Sequence, residues 1–147
     1  MKHLNIITIY HGSCRNYWRS IMTHEKLTDC EQLVMKVVWD AEDELSLMEI
    51  MDRVNDKYHK DWKPQTVSTF LARLVRKGYL KHYRQGRVFF YQILIPLEEY
   101  KGQLTNDYVS FWNHDNADEF LCALTNERAL RQDEIERIRK LINGLGK

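Results

Sequence analysis

Apolar positions along most of this chain recur at helical spacing, and they alternate in only one place. In Lys63–Gly78, Val67, Phe70, Leu71, Leu74 and Val75 return every three or four residues and form one apolar face. The opposite face carries Gln65, Thr66, Ser68, Thr69, Arg73, Arg76 and Lys77. Pro64 suits the first turn of a helix, where a missing N–H costs nothing. Gly78 suits the position just past its end, where a left-handed backbone is needed. Short hydrogen-bonding side chains followed by arginines suit a helix laid into a DNA major groove. A solvated surface face has the same periodicity, so this helix alone leaves both readings open.

The flanking patterns give that helix a setting. Thr28-Asp-Cys-Glu31 is a capping box, and Cys30, Leu33, Val34, Val37 and Val38 continue it as a helical face ending near Trp39-Asp40. Asp43-Glu44 marks a turn. Ser46-Leu-Met-Glu49 is a second capping box, opening a helix with Leu47, Ile50, Met51 and Val54 inward. Two capped helices before a third give the order of a helix-turn-helix. After Gly78 the period changes: Tyr79–Gln85 predicts a strand, Gln85-Gly86 a tight turn and Arg87–Leu94 its returning partner. A hairpin directly after a recognition helix is a wing, and Lys81, Arg84 and Arg87 are read as its phosphate or minor-groove contacts. An ordinary hairpin with a soluble tip is the plainer alternative.

Beyond Pro96, Leu97, Tyr100, Leu104, Tyr108, Phe111 and Trp112 repeat at helical spacing, weakened by Gly102 and broken by Asn113-His-Asp-Asn116. Phe120, Leu121 and Leu124 predict a short helix; Ile135, Ile138, Ile142 and Leu145 predict another with a narrow coiled-coil-like seam. Three short helices cannot easily build a core of their own, so these faces are expected to bury against a second copy. An isolated helical subdomain is the alternative. The expected fold is mainly α with a small two- to three-stranded β wing: a winged helix-turn-helix over 25–95, then a helical dimerisation domain over 96–147. Residues 1–24 read as a tail or an over-extended start, with Met22 as the expected first residue.

Charge sharpens this picture. The net charge is only +1, but residues 57–87 sum to +8, whereas residues 22–56 sum to −7 and 96–147 to −3. A neutral chain with one concentrated basic segment has the footprint of polyanion binding. With 44% hydrophobic and 29% charged residues, the composition is that of a folded chain. Cys14, Cys30 and Cys122 lie far apart, without a CxxC pair, so neither a disulfide framework nor a metal site is expected. His11 and Cys14 have ligand-like spacing but lack partners. Without a disulfide framework the cytosol is the expected compartment, and since no apolar run approaches the ~20 residues that span a bilayer, no membrane insertion is expected. No phosphate loop, nucleophile elbow or catalytic dyad appears, so neither enzyme activity nor a cofactor is expected.

Leu27-Thr-Asp-Cys-Glu31, Val34-Met35 and Trp39, followed by Trp62-Lys-Pro-Gln-Thr66, Leu71, Arg73-Leu74 and Lys77-Gly78, resemble the penicillinase/methicillinase repressor family. Phe90-Tyr91 and Gln132-Asp-Glu-Ile135 also resemble it, and the likeness runs from about Leu27 to Leu145. It implies a winged-helix repressor that binds an operator palindrome in double-stranded DNA as a homodimer. Carried over by position, Lys63, Gln65, Thr66, Ser68, Thr69 and Arg73 would face DNA, with Lys81, Arg84 and Arg87 in support. Lys63, Thr66 and the wing cations would hold phosphates; Gln65, Ser68, Thr69 and Arg73 would meet base edges. The dimer face would comprise Tyr100, Leu104, Tyr108, Phe111, Trp112, Phe120, Leu121, Leu124, Ile135, Ile138, Ile142 and Leu145.

Three departures stand out. The copper-responsive branch carries paired Cys-x-Cys motifs, whereas this half of the chain has only Cys122. In the β-lactam branch a membrane sensor protease acts and an Asn–Phe bond is cut; the corresponding pair here is Ala123-Leu124. Arg131 stands where relatives have a capping serine, so the last helix is expected to start less well capped. Cleavage near 121–126 is the preferred expectation for release, with a small molecule or a partner protein as alternatives. The competing function is a winged-helix adaptor whose basic face meets an acidic protein.

Overall fold

The computed structural model describes residues 24–145, so the expectations for residues 1–23, including Met22 and the His11/Cys14 pair, lie outside the described residues. Within them are six helices and one small antiparallel sheet. The chain divides into two compact units that meet between Pro96 and Leu97.

In the first unit, helix α1 (Asp29–Trp39) and helix α2 (Leu47–Tyr58) each begin with a complete capping box. Glu31 Oε2 accepts the Thr28 N–H at 2.8 Å, and Glu49 Oε2 accepts the Ser46 N–H at 2.8 Å. Strand β1 is only Leu45–Ser46, so Ser46 is at once a strand residue and the cap of α2. Helix α3 (Pro64–Arg76) is the one predicted between Lys63 and Gly78, with Pro64 in its first turn. Its end is a Schellman motif: Tyr79 N–H donates to Leu74 O and Gly78 N–H to Val75 O, both at 3.0 Å. Gly78 takes φ +79° there with open space around it. Gly78→Ala is therefore expected to cost about 1–2 kcal/mol from backbone strain alone, without a steric clash, as thermal unfolding would show.

The three helices bury Val34, Met35, Ile50, Val54, Val67, Leu71 and Leu74 completely, joined by Tyr79 and Leu80 from the chain after α3. At ~25 cal/mol per Å² this apolar burial is the main term holding α3 in place. Strands β2 (Leu80–Gln85) and β3 (Val88–Ile93) form the wing, and the sheet order is β1-β3-β2. Gln85 pairs with Val88, so the two-residue turn is Gly86-Arg87, one residue later than the sequence suggested. The reason is Gly86, whose φ of +64° fits the first central position of a hairpin turn.

The second unit is α4 (Leu97–Trp112), α5 (Ala117–Glu127) and α6 (Gln132–Leu145). The predicted break after α4 is made by His114 and Asp115, both with positive φ. The start of α6 is better held than Arg131 implied: Glu134 Oε2 accepts the Arg131 N–H at 3.0 Å, half of a capping box. Arg128 adds two bonds to the same carboxylate, at 3.0 and 3.3 Å. Arg128 and the Arg131 N–H together hold the Glu134 carboxyl down at about 2.

Candidate nucleic-acid interface

Helix α3 turns Val67, Leu71 and Leu74 inward, and its opposite side is a row of Gln65, Thr69, Ala72 and Arg76. Ser68 and Arg73 flank that row, and these six residues line one shallow open depression. From Gln65 to Arg76 the row is about 16 Å long, at ~1.5 Å per residue. Its groups are varied. Gln65 has an amide donor and acceptor, and Arg73 and Arg76 each carry a planar fork of donors. Thr69 Oγ1 donates back to Gln65 O at 2.9 Å, which leaves the hydroxyl oxygen to serve only as an acceptor. Arg73 also lies over the Phe70 ring at 6.0 Å, and Phe70 packs on Trp62 at 4.9 Å.

The geometry rearranges the sequence-derived set. Gln65, Ser68, Thr69 and Arg73 come together on α3, while Thr66 is half-buried at the edge of the face. Lys63 is exposed beside the start of α3 and pairs with Asp61 at 2.9 Å. Ala72 and Arg76 belong to the row but were absent from the set carried over by resemblance. A helical wheel centred on Gln65 and Thr69 adds Ala72 and groups it with Arg76, already on the polar face, since 65, 69, 72 and 76 share one face. Lys77 is a correction. Assigned to the polar face, it instead points inward, because Glu31 waits there: Lys77 Nζ donates to Glu31 Oε2 at 2.8 Å and to Lys26 O at 2.7 Å. The two side chains are 5% and 1% exposed.

The wing cations are not one cluster either. Cross-strand pairs place Lys81 opposite Gln92 and Arg84 opposite Phe89, and side chains alternate along a strand, so Lys81 and Arg84 lie on opposite faces. Lys81 is the second residue of β2, about 16 Å of extended chain from the turn rather than at the tip. Arg84 is held at the tip, its Nε donating to Gly86 O at 2.9 Å and its guanidinium over Phe89 at 6.0 Å. Arg87 sits exposed in the turn itself. Midway along the wing the Tyr83 hydroxyl bonds the Glu44 carboxylate, which raises the Tyr83 pKa.

In the second unit the aromatic face of α4 stays open: Phe111 is 73% and Trp112 65% exposed, with Leu104 and Tyr108 also exposed. Tyr108 meets Phe120 of α5 edge-on at 5.8 Å. Ile142 and Leu145 on α6 are exposed; Phe120, Leu121, Leu124, Ile135 and Ile138 are half-buried. Tyr100 differs from its face-mates because it is buried, and burial raises its pKa. Ala123 and Leu124 lie inside α5. Among the described residues no group of His, Cys, Asp or Glu could hold a metal, and no helix is long and apolar enough to cross a membrane.

Two capped helices, a third with an open polar face and a hairpin behind it make the first unit a winged-helix domain. The chain belongs to the penicillinase repressor family, whose profile matches residues 27–144. Over 118 residues it is 24% identical to the methicillin resistance regulatory protein MecI of Staphylococcus aureus (strain N315), covering 80% of this chain and 94% of that one. It is 29% identical over 118 residues to the penicillinase repressor of Bacillus licheniformis, covering 80% and 89%. Similar solved structures include the solution structure of the DNA-binding domain of the repressor BlaI, with 32% identity and a TM-score of 0.46, covering 54% of this chain and 94% of that one. Another is the monomeric form of Bacillus licheniformis BlaI in complex with the blaP half-operator, with 34% identity and a TM-score of 0.44, covering 52% and 90%.

Proposed function

We propose that this protein is a dimeric repressor that binds a palindromic operator, reading base edges with α3 and holding phosphates with Lys63 and the wing. The observation that carries this is the open row Gln65–Thr69–Ala72–Arg76 within the basic segment 57–87. Gln pairs well with adenine, Arg with guanine, and an exposed alanine suits a thymine methyl. The test is selection of a preferred duplex by the full chain from a random library. Arg73→Ala and Arg76→Ala are each expected to weaken the selected duplex by ~1–3 kcal/mol and random DNA far less. Equal loss on both would reduce that arginine to a phosphate contact. Binding should also fall steeply with salt, because a dimer doubles each phosphate contact.

The dimer is assigned to the open face of the second unit, where Phe111 and Trp112 supply the largest unburied apolar area. Phe111→Glu is expected to yield a monomer by sedimentation with the winged helix still folded; a persistent dimer would move the interface elsewhere. Release is assigned to cleavage in 121–126, with a membrane sensor protease acting indirectly, because losing the dimer separates two weak half-site binders. That segment lies within α5, so cutting it requires local unwinding. Full-length protein persisting on an immunoblot while target genes are induced would rule this route out.

A further inference from the structure

Both ends of α3 are held by polar clamps on the side away from its open row. At the N-terminal end, Asn55 Nδ2 donates to Trp62 O at 3.0 Å and accepts the Trp62 N–H on Oδ1 at 2.9 Å. At the C-terminal end, Lys77 donates to Glu31 Oε2 and to Lys26 O, with Glu25 Oε1 3.5 Å away. Glu31 Oε2 also accepts the Thr28 N–H. One carboxylate oxygen thus ties the start of α1 to the end of α3.

Between the clamps α3 is held by Val67, Leu71 and Leu74, whose apolar contacts have no direction. Such contacts fix the angle of a helix less sharply than hydrogen bonds and an ion pair at its ends do. A pivot of about 5° about one end moves the other end of a ~16 Å row by about 1.4 Å. Base-edge hydrogen bonds hold only within ~0.5 Å of their proper geometry. A buried ion pair also stabilises little compared with an apolar pair of equal size, so stability alone does not account for it. Its distinctive contribution is directional.

We propose that the Lys77–Glu31 clamp is a positioning device for base reading, fixing the angle of α3 and hence sequence discrimination without touching DNA. This rests on the reading of α3 as the DNA-reading helix. The test uses the full chain, the duplex selected by the wild type, and a random-sequence duplex of equal length. The Glu31→Met/Lys77→Met double variant replaces the pair with apolar side chains of similar size. It is expected to lose tenfold or more on the selected duplex, while random-duplex affinity and its salt slope stay unchanged. Glu31→Gln, which keeps an acceptor for Thr28 and leaves Lys77 bonded to Lys26 O with Glu25 nearby, is expected to shift discrimination in the same direction and stands in if the methionine pair fails to fold.

Unchanged discrimination in these variants overturns the clamp's role. So does parallel loss on both duplexes with a shallower salt slope, which would make Lys77 a phosphate ligand. Absence of any preferred duplex for the wild type overturns the DNA-reading assignment and the clamp with it. A preferred duplex bound as tightly by both variants overturns the clamp alone.

Discussion

Lys77→Ala is expected to lower the stability of the first unit by about 3–5 kcal/mol, because it strands the Glu31 carboxylate in the interior without its cation. Urea unfolding would read the loss. The control is Lys63→Ala: Lys63 and Asp61 are 71% and 91% exposed, and such a pair contributes ~0–1 kcal/mol. The pH dependence carries a sign. Burial pushes the Glu31 carboxyl up, but the Lys77 bond and charge and the Thr28 bonds together outweigh it, leaving the pKa below the ordinary 4.5. A carboxyl depressed on folding contributes above its unfolded pKa and loses that contribution as pH falls through the folded value. Wild-type stability should therefore fall on acidification below about pH 4.5, and Glu31→Gln should flatten that limb. A limb of unchanged depth in Glu31→Gln would place the titration elsewhere.

Leu71→Ala is the second large effect, at about 2–5 kcal/mol. Leu71 is fully buried beneath α3, so the change removes transfer energy and leaves a cavity that the α1–α2–α3 packing closes only in part. Its neighbour Ala72 is exposed on the open row, and Ala72→Ser should leave stability within about 0.5 kcal/mol. Thermal unfolding of the two variants side by side checks the inside–outside assignment of α3. Similar losses in both would mean that the helix is rotated from its described setting.

Features legible in the sequence were those written within one turn or one strand. Thr28 with Glu31, and Ser46 with Glu49, are three residues apart, and both boxes form. Pro64 and Gly78 framed α3 for backbone reasons that no tertiary contact overrides. The misreadings involve partners distant in the chain or elements too short to have a period. Lys77 lies at the edge of the polar face by periodicity, and its partner Glu31 is 46 residues away. Strand β1 has two residues, below any alternation, and is defined only by pairing with Phe90 and Tyr91. Lys81 and Arg84 look like neighbours in a basic run, yet strand parity separates them. Arg76 was visible on the polar face from the start, but the DNA-facing helix positions carried over by resemblance stopped at Arg73.

The order β1-β3-β2 leaves β2 at the margin of the sheet, with one side of its backbone unpaired by any other strand among the described residues. Bare strand margins invite a second molecule to add on, and nature guards them with charge. Lys81 and Arg84, one on each face, give β2 such a guard. Replacing both with valine would leave a six-residue strand bearing Tyr83 and facing Phe89 and Phe90, with no lysine or arginine along it. Charge at Lys81 and Arg84 thus protects an open strand edge, and Lys81→Val/Arg84→Val is expected to promote edge-to-edge aggregation, which light scattering would read.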